Sequence, residues 1–215
     1  MAYDVVIFDL DGTLLDTLDD LMDSCNYALS TIGAPPRTRA EIRRFVGNGI
    51  RNLMLQAVPD GADNPKFEQA YETMQTWYKA HNQIKTAPYP GVQQLIRTLK
   101  QQGIPMAVVS NKPDASVQML VEQWFPEITF GLGEREGLRR KPERDMVDYA
   151  IAQLGQTGKK TVYVGDSEVD LTTAANAGLD CISVTWGFRD RALLVERGAK
   201  QFADTAEELL RLIQG

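Results

Sequence analysis

Val5-Val6-Ile7-Phe8-Asp9-Leu10-Asp11-Gly12-Thr13 is the stretch on which the fold of this chain turns. Four consecutive apolar residues predict a strand buried on both faces, the kind found inside a parallel sheet rather than at a wetted surface. Two carboxylates follow at once. Acids two residues apart repel each other unless a cation or a proton sits between them, and a neutral turn would serve a merely structural strand end better. The pair therefore predicts a metal site joined to a nucleophile.

Outward from that strand, short β runs alternate with helical stripes after residue 88. Val92, Leu95, Ile96 and Leu99 fall at i, i+3, i+4 and i+7, and Gly103 suits the left-handed position that ends a helix. A strand is expected over Ile104 to Val109, followed by a turn Ser110-Asn111-Lys112-Pro113 with Pro113 at the first helical position. Further strands are expected at Ile128-Thr129-Phe130, Thr161 to Val164 and Cys181 to Thr185. Helices are expected near 144–154 and 168–177, and Leu209, Leu210, Leu212 and Ile213 mark a closing one. The rhythm predicts an α/β fold, a Rossmann-like parallel sheet flanked by helices. Residues 17–86 break it with helical stripes only: Leu18 to Ile32, Ile50 to Val58, and Phe67 to Tyr78. The expected organisation is a core of 1–16 and 87–215 carrying an inserted helical domain of 17–86, with hinges at Asp16-Thr17 and Thr86-Ala87-Pro88.

Composition narrows the chemistry. The chain has 215 residues, 43% of them hydrophobic, enough for a packed interior. Its net charge of −6, from 29 acids and 23 bases spread along the sequence, argues against nucleic acid or an anionic membrane as the main partner. No apolar run reaches the roughly 20 residues that span a bilayer, and Met1-Ala2-Tyr3-Asp4 leads straight into the first strand, so a cytoplasmic location is expected. Cys25 and Cys181 form no Cys-x-x-Cys pattern, and His81 is the single histidine. Zinc clusters and Ser-His-Asp triads lack their parts. Both cysteines lie on apolar stripes and are expected to pack, and His81 is expected to be a solvated helix-end residue.

The remaining polar signals recur at one place in the βα unit, the C-terminal end of a strand or the loop beside it. They are Asp9 and Asp11, then Ser110, then Lys141-Pro142, then Gly165-Asp166-Ser167-Glu168-Val169-Asp170. That edge of an open parallel sheet is where ligands bind. Each residue type suits phosphoryl transfer to a carboxylate. Asp9 needs no deprotonation to act as nucleophile, and Mg²⁺ held by Asp9 and Asp166 would screen its repulsion from a phosphate. Asp170, four residues after Asp166, would face the same way if Asp166 opened the helix, and could orient metal waters from the second shell. Lys141 adds a fixed cation, and the Ser110 hydroxyl with the N–H groups of the following turn would hold phosphate oxygens. Asp11, if turned toward the leaving oxygen, can protonate the departing alkoxide and later deprotonate water. Taken singly, Asp166 and Asp170 read as a helix cap, Ser110-Asn111 as a polar turn and Lys141 as a surface lysine. Their common placement at successive strand ends favours catalysis.

With these motifs in place, the chain resembles the haloacid dehalogenase superfamily of phosphohydrolases. Asp9 to Thr17 is similar to its first motif, Ser110-Asn111-Lys112 to its second, Lys141-Pro142 to its third, and Gly165 to Asp170 to its fourth. The resemblance implies an aspartyl-phosphate on Asp9, Mg²⁺ bound by the Asp9 side chain, the Asp11 carbonyl and Asp166, and Asp11 as acid/base. It also implies that Thr13, Ser110, Asn111 and Lys141 bind the phosphate, and that the helical insertion is a type 1 cap closing over the substrate. Phe45-Val46-Gly47-Asn48-Gly49-Ile50-Arg51 and Trp186-Gly187-Phe188-Arg189 resemble phosphoglycolate phosphatases. That likeness makes Gly49 and Arg51 candidate substrate-binding residues and implies a small phosphorylated metabolite as partner, phosphoglycolate first. The alternatives are a sugar phosphomutase and a non-catalytic phosphate-binding module.

Overall fold

Val5–Phe8 forms strand β1, and all four residues are fully buried in the computed structural model, which describes residues 2–215. Each such side chain, moved from water to the interior, contributes about 1.5–3 kcal/mol. After β1 come β2 (Leu15–Asp16) and four helices, α1 (Leu18–Thr31), α2 (Arg39–Phe45), α3 (Gly49–Ala57) and α4 (Phe67–His81). The chain continues as β3 (Ala87–Pro88), α5 (Val92–Gln101), β4 (Met106–Pro113), α6 (Asp114–Trp124), β5 (Phe130–Glu134) and α7 (Asp145–Gln153). It ends as β6 (Thr161–Gly165), α8 (Glu168–Ala177), β7 (Asp180–Val184), α9 (Arg191–Glu196), β8 (Gln201–Ala203) and α10 (Ala206–Gln214). Two compact units result, Met1–Leu15 with Pro88–Gly215, and Asp16–Ala87.

The first unit is an open α/β sheet in the order β5-β4-β1-β6-β7-β8, parallel throughout. Val6 and Phe8 point into one apolar layer with Val92, Leu95 and Leu99 of α5, Leu120 of α6 and Leu209 of α10. Val5 and Ile7 point into the other, with Met146 and Val147 of α7 and Ala174 of α8. Period-two alternation on a strand with two apolar faces requires this double layer. Phe8 lies opposite Val108 of β4 and Val164 of β6. One residue further along, the three central strands deliver Asp9, and then Ser110 and Asp166, to the same sheet edge.

The second unit is helical. Its core holds Cys25, Ala28, Leu29, Leu53, Met54, Phe67, Ala70, Met74 and Tyr78, all buried. Thr38 and Glu41 close a reciprocal capping box at the start of α2. Asp20 on α1 is buried and accepts hydrogen bonds from the Lys85 and Thr86 N–H groups, the latter at 2.9 Å, and from the Thr86 hydroxyl at 2.7 Å. That carboxylate ties the two ends of the unit together.

Several expectations need correction. The second long strand does not stop at Val109, because β4 runs to Pro113 and pairs with β5 again after a register shift between Val109 and Pro113. Pro113 is extended at the cap position, and Asp114 is the first helical residue. The next strand is Phe130–Glu134 rather than 128–130. The short elements α2, α9 and β8 carry too little periodicity to stand out in sequence. Cys25 and Cys181 are unbridged, and burial pushes the Cys25 thiol up to about 12 and raises that of Cys181. His81, at the end of α4, stacks on Trp77 at 3.9 Å. Among the described residues no helix is long and apolar enough to cross a membrane.

Candidate active site

Asp9 leaves β1 with its backbone N–H bonded to the Val164 carbonyl, which anchors the residue to β6. Its side chain faces Lys141, whose ammonium donates to Asp9 Oδ1 at 2.7 Å, Asp170 Oδ1 at 2.8 Å and the Tyr163 hydroxyl oxygen at 3.0 Å. An ammonium has three donors, and three oxygens take them. Oδ2 of Asp9 receives no hydrogen bond from any described residue. Lys141 is buried, and its carbonyl accepts from the Asn111 side chain at 3.0 Å. Asn111 thereby fixes the Lys141 backbone.

Asp166 and Asp170 follow β6. Helix α8 begins at Glu168, where the sequence places it, with Ser167 as its cap, so Asp166 lies just ahead of the helix. The reason lies in Asp170, whose Oδ2 accepts from the Asp166 and Ser167 N–H groups and, at 2.6 Å, from the Ser167 hydroxyl. With Oδ1 held by Lys141 and Tyr163, Asp170 is engaged on both oxygens. Asp166 accepts from the Thr13 hydroxyl at 3.2 Å and from the Phe188 N–H at 2.6 Å. Thr13 is fully buried, so its hydroxyl orients an acid and is not presented to solvent.

Asp9, Asp166 and Asp170 each bring a carboxylate oxygen within 4.8 Å of the others. Burial is the main force raising the proton affinity of Asp9; Lys141 opposes it, while Asp170 and Asp166 add to it. Burial and then Asp170 push Asp166 up to about 7. Burial works against the charge on Lys141, but Asp170 and Asp9 outweigh it and hold its pKa well above the lysine range. Lys141 bonds two of these acids, Asp9 and Asp170, and among the described residues no lysine bonds Asp166, so the cluster carries an excess of carboxylates over ammonium groups. An all-oxygen donor set of this kind fits a hard divalent cation.

Asp11 stands apart from that cluster. Its Oδ1 accepts from the Lys112 ammonium at 2.7 Å, and its Oδ2 lies 3.5 Å from the Ser110 hydroxyl. The two aspartates thus have different lysines, Lys141 for Asp9 and Lys112 for Asp11. Gly12, the residue after Asp11, has φ +90°, and a Cβ there would lie 2.5 Å from Asp166 Oδ2. Gly12→Ala should therefore lower the melting temperature, the backbone alone costing about 1–3 kcal/mol. Displacement of Asp166 should also shrink any rise in melting temperature caused by a divalent cation. Thermal melts with and without the ion check both effects.

A family model described as "Haloacid dehalogenase-like hydrolase" matches residues 6–184. The chain belongs to that family. Among this hydrolase's curated relatives is the phosphoglycolate phosphatase of Pseudomonas putida, 32% identical over 194 residues that cover 86% of this chain and 70% of the relative. That of Agrobacterium fabrum is 33% identical, covering 86% of this chain and 82% of the relative. A solved structure from Lactobacillus delbrueckii subsp. bulgaricus, provisionally identified as a phosphoglycolate phosphatase, superposes with a TM-score of 0.94 at 39% identity, covering 99% of each chain. The hydrolase is thus a phosphatase acting on phosphoric monoesters.

Two other candidate residues of this hydrolase, Gly49 and Arg51, belong to the helical unit. Gly49 is the first residue of α3, in a helix–helix turn behind Gly47 and Asn48. Arg51 is half-exposed; Glu68 binds its guanidinium at 2.5 and 3.0 Å, and it lies over the Phe67 and Tyr71 rings. Arg189 is buried and paired with Glu168 at 2.8 Å. Lys112, Tyr163 and the Phe188 N–H were not foreseen as parts of the site. Lys112 and Phe188 had a signal, the one beside Ser110-Asn111 and the other within Trp186-Gly187-Phe188-Arg189, whereas Tyr163 reads as an ordinary strand residue.

Proposed function

We propose that this hydrolase is a Mg²⁺-dependent phosphatase that cleaves a small phosphate monoester through an aspartyl-phosphate on Asp9, with phosphoglycolate the first candidate substrate. The observation that carries the reading is the Asp9 carboxylate, one oxygen held by Lys141 and the other open beside Asp166. The relatives' names support the substrate. Asp9, Asp166 and the Asp11 carbonyl would hold Mg²⁺, with Asp170 fixing Lys141 and the start of α8 around them. The ion would neutralise the acid cluster and the phosphate charge.

The chain's own residues carry the steps. Asp9 attacks phosphorus, the ester P–O bond breaks, and protonated Asp11 gives its proton to the leaving alkoxide. Water then attacks the aspartyl-phosphate and passes a proton to Asp11. The bond to Asp9 breaks, and inorganic phosphate leaves. Lys141 keeps Asp9 in line and offsets charge as phosphate approaches, while Ser110 lies beside Asp11 where a phosphate oxygen can meet its hydroxyl. The unbridged cysteines are consistent with a reducing, cytoplasmic setting.

The test is a turnover screen of phosphoglycolate, sugar phosphates, nucleotides and pyrophosphate with Mg²⁺ and after its removal by chelation. Free phosphate from phosphoglycolate, lost on chelation and restored by Mg²⁺, is the expected result. Isomerised sugar phosphate in place of free phosphate would make the protein a mutase, and metal-independent turnover would remove Mg²⁺ from the reading.

A further inference from the structure

We propose that Lys112 is a positioning residue for proton transfer: its ammonium holds the Asp11 carboxyl beside Ser110 and apart from the acid cluster, so that the acid/base meets the ester oxygen rather than the nucleophile. The inference rests on the reading of Asp11 as the acid/base.

Its geometry is specific. Lys112 Nζ is 2.7 Å from Asp11 Oδ1, and the side chains of Lys112 and Asp11 are 3% and 15% exposed, so little water competes for the pair. The Lys112 N–H donates to the Ser110 hydroxyl oxygen at 3.2 Å, and that hydroxyl in turn faces Asp11 Oδ2. Ser110, Lys112 and Asp11 are thus linked to one another, with both carboxyl oxygens addressed. The backbone that carries Lys112 is itself constrained. A Cβ on Gly133 of β5 would collide with the Lys112 carbonyl and the Asp114 backbone, and the Gly133 N–H bonds to the Asp114 side chain at 2.8 Å. The register shift of β4 falls in this segment, and such irregularities re-aim side chains at a sheet edge.

An ammonium only donates, so it can bond to the carbonyl oxygen of a protonated Asp11 as well as to the carboxylate. Lys112 therefore holds the group in both halves of the cycle. Asp9 has its own lysine in Lys141, so a residue that merely balanced charge for the nucleophile would be redundant here.

Leaving-group dependence tests the assignment. Nitrophenolate departs without a proton, whereas the glycolate alkoxide needs one. Lys112→Met should lower kcat for phosphoglycolate about 10²-fold with little change in KM, the scale of a misplaced general acid. With p-nitrophenyl phosphate the same variant should give a burst near one nitrophenolate per active site and then slow turnover, because water activation also needs Asp11. Equal loss on both esters without a burst would overturn the proposal. A second comparison does not require Lys112→Met to fold alone: the double variant Asp11→Asn/Lys112→Met should turn over like Asp11→Asn, since Lys112 acts through Asp11. A further large loss in the double variant would also overturn it. The function itself fails separately, if Asp9→Asn remains active; inactive Asp9→Asn beside an unimpaired Lys112→Met would remove Lys112 alone.

Discussion

Asp9→Asn should reduce kcat on any phosphate ester by about 10⁴-fold or more, the scale on which loss of a covalent nucleophile is felt. The amide keeps the shape and still offers an oxygen to Lys141, but it cannot attack phosphorus as a carboxylate does. Stability should respond in the opposite sense from most active-site losses. Asp9 is one of three carboxylates crowded within 4.8 Å, and burial together with Asp170 and Asp166 penalises its charge. Removing that charge relieves repulsion, while Lys141 keeps Asp170 and Tyr163 as partners. The melting temperature without metal should therefore hold or rise, and its increase on adding Mg²⁺ should shrink. Steady-state turnover and thermal melts of one purified variant read both. Near wild-type turnover would sink the aspartyl-phosphate mechanism.

Lys141→Met should lose activity and stability together. Its ammonium is buried to 3% exposure between Asp9 and Asp170, and methionine fills a similar volume without charge. Removing one partner of a buried ion pair costs about 3–5 kcal/mol, because the carboxylates remain without their counter-ion. Mg²⁺ should recover part of the melting temperature by supplying positive charge, but not kcat, since the lysine that holds Asp9 in line is gone. A variant as stable as the wild type would mean that the lysine is not the cluster's counter-ion. The contrast with Asp9→Asn separates the two charges: one loss spares the fold, the other weakens it.

How far the sequence could be read depended on how local each cause was. β1 and its two acids are a local signal, since paired carboxylates at the end of a buried strand serve little purpose without a cation or a proton to hold, and the periodic stripe of α5 is equally self-contained. The run of β4 through Ser110 and Lys112 was hidden because polar residues read as a turn unless their pairing with β5 is known. β5 was misplaced for a related reason. Its two glycines, Gly131 and Gly133, have poor strand propensity, and the one at 133 is needed only because the Lys112 and Asp114 backbone comes so close. The start of α8 near residue 168 was legible from its local pattern, whereas the grip of Lys141 on the Asp170 carboxylate that caps it was not. Motifs on single loops were legible. Pairings between loops, such as Lys112 with Asp11, exist only once the sheet has brought them together.

Asp20, whose carboxylate gathers the Lys85 and Thr86 N–H groups and the Thr86 hydroxyl, has a consequence for how this chain can change. A segment bonded to itself close to both of its ends asks of its host only a gap the width of two chains. It can be lengthened, trimmed or exchanged between its ends like a cassette, while the strands on either side keep their register. The same bond predicts where such grafts should be cut: outside Asp20 and Thr86, so that each donor segment carries its own clasp.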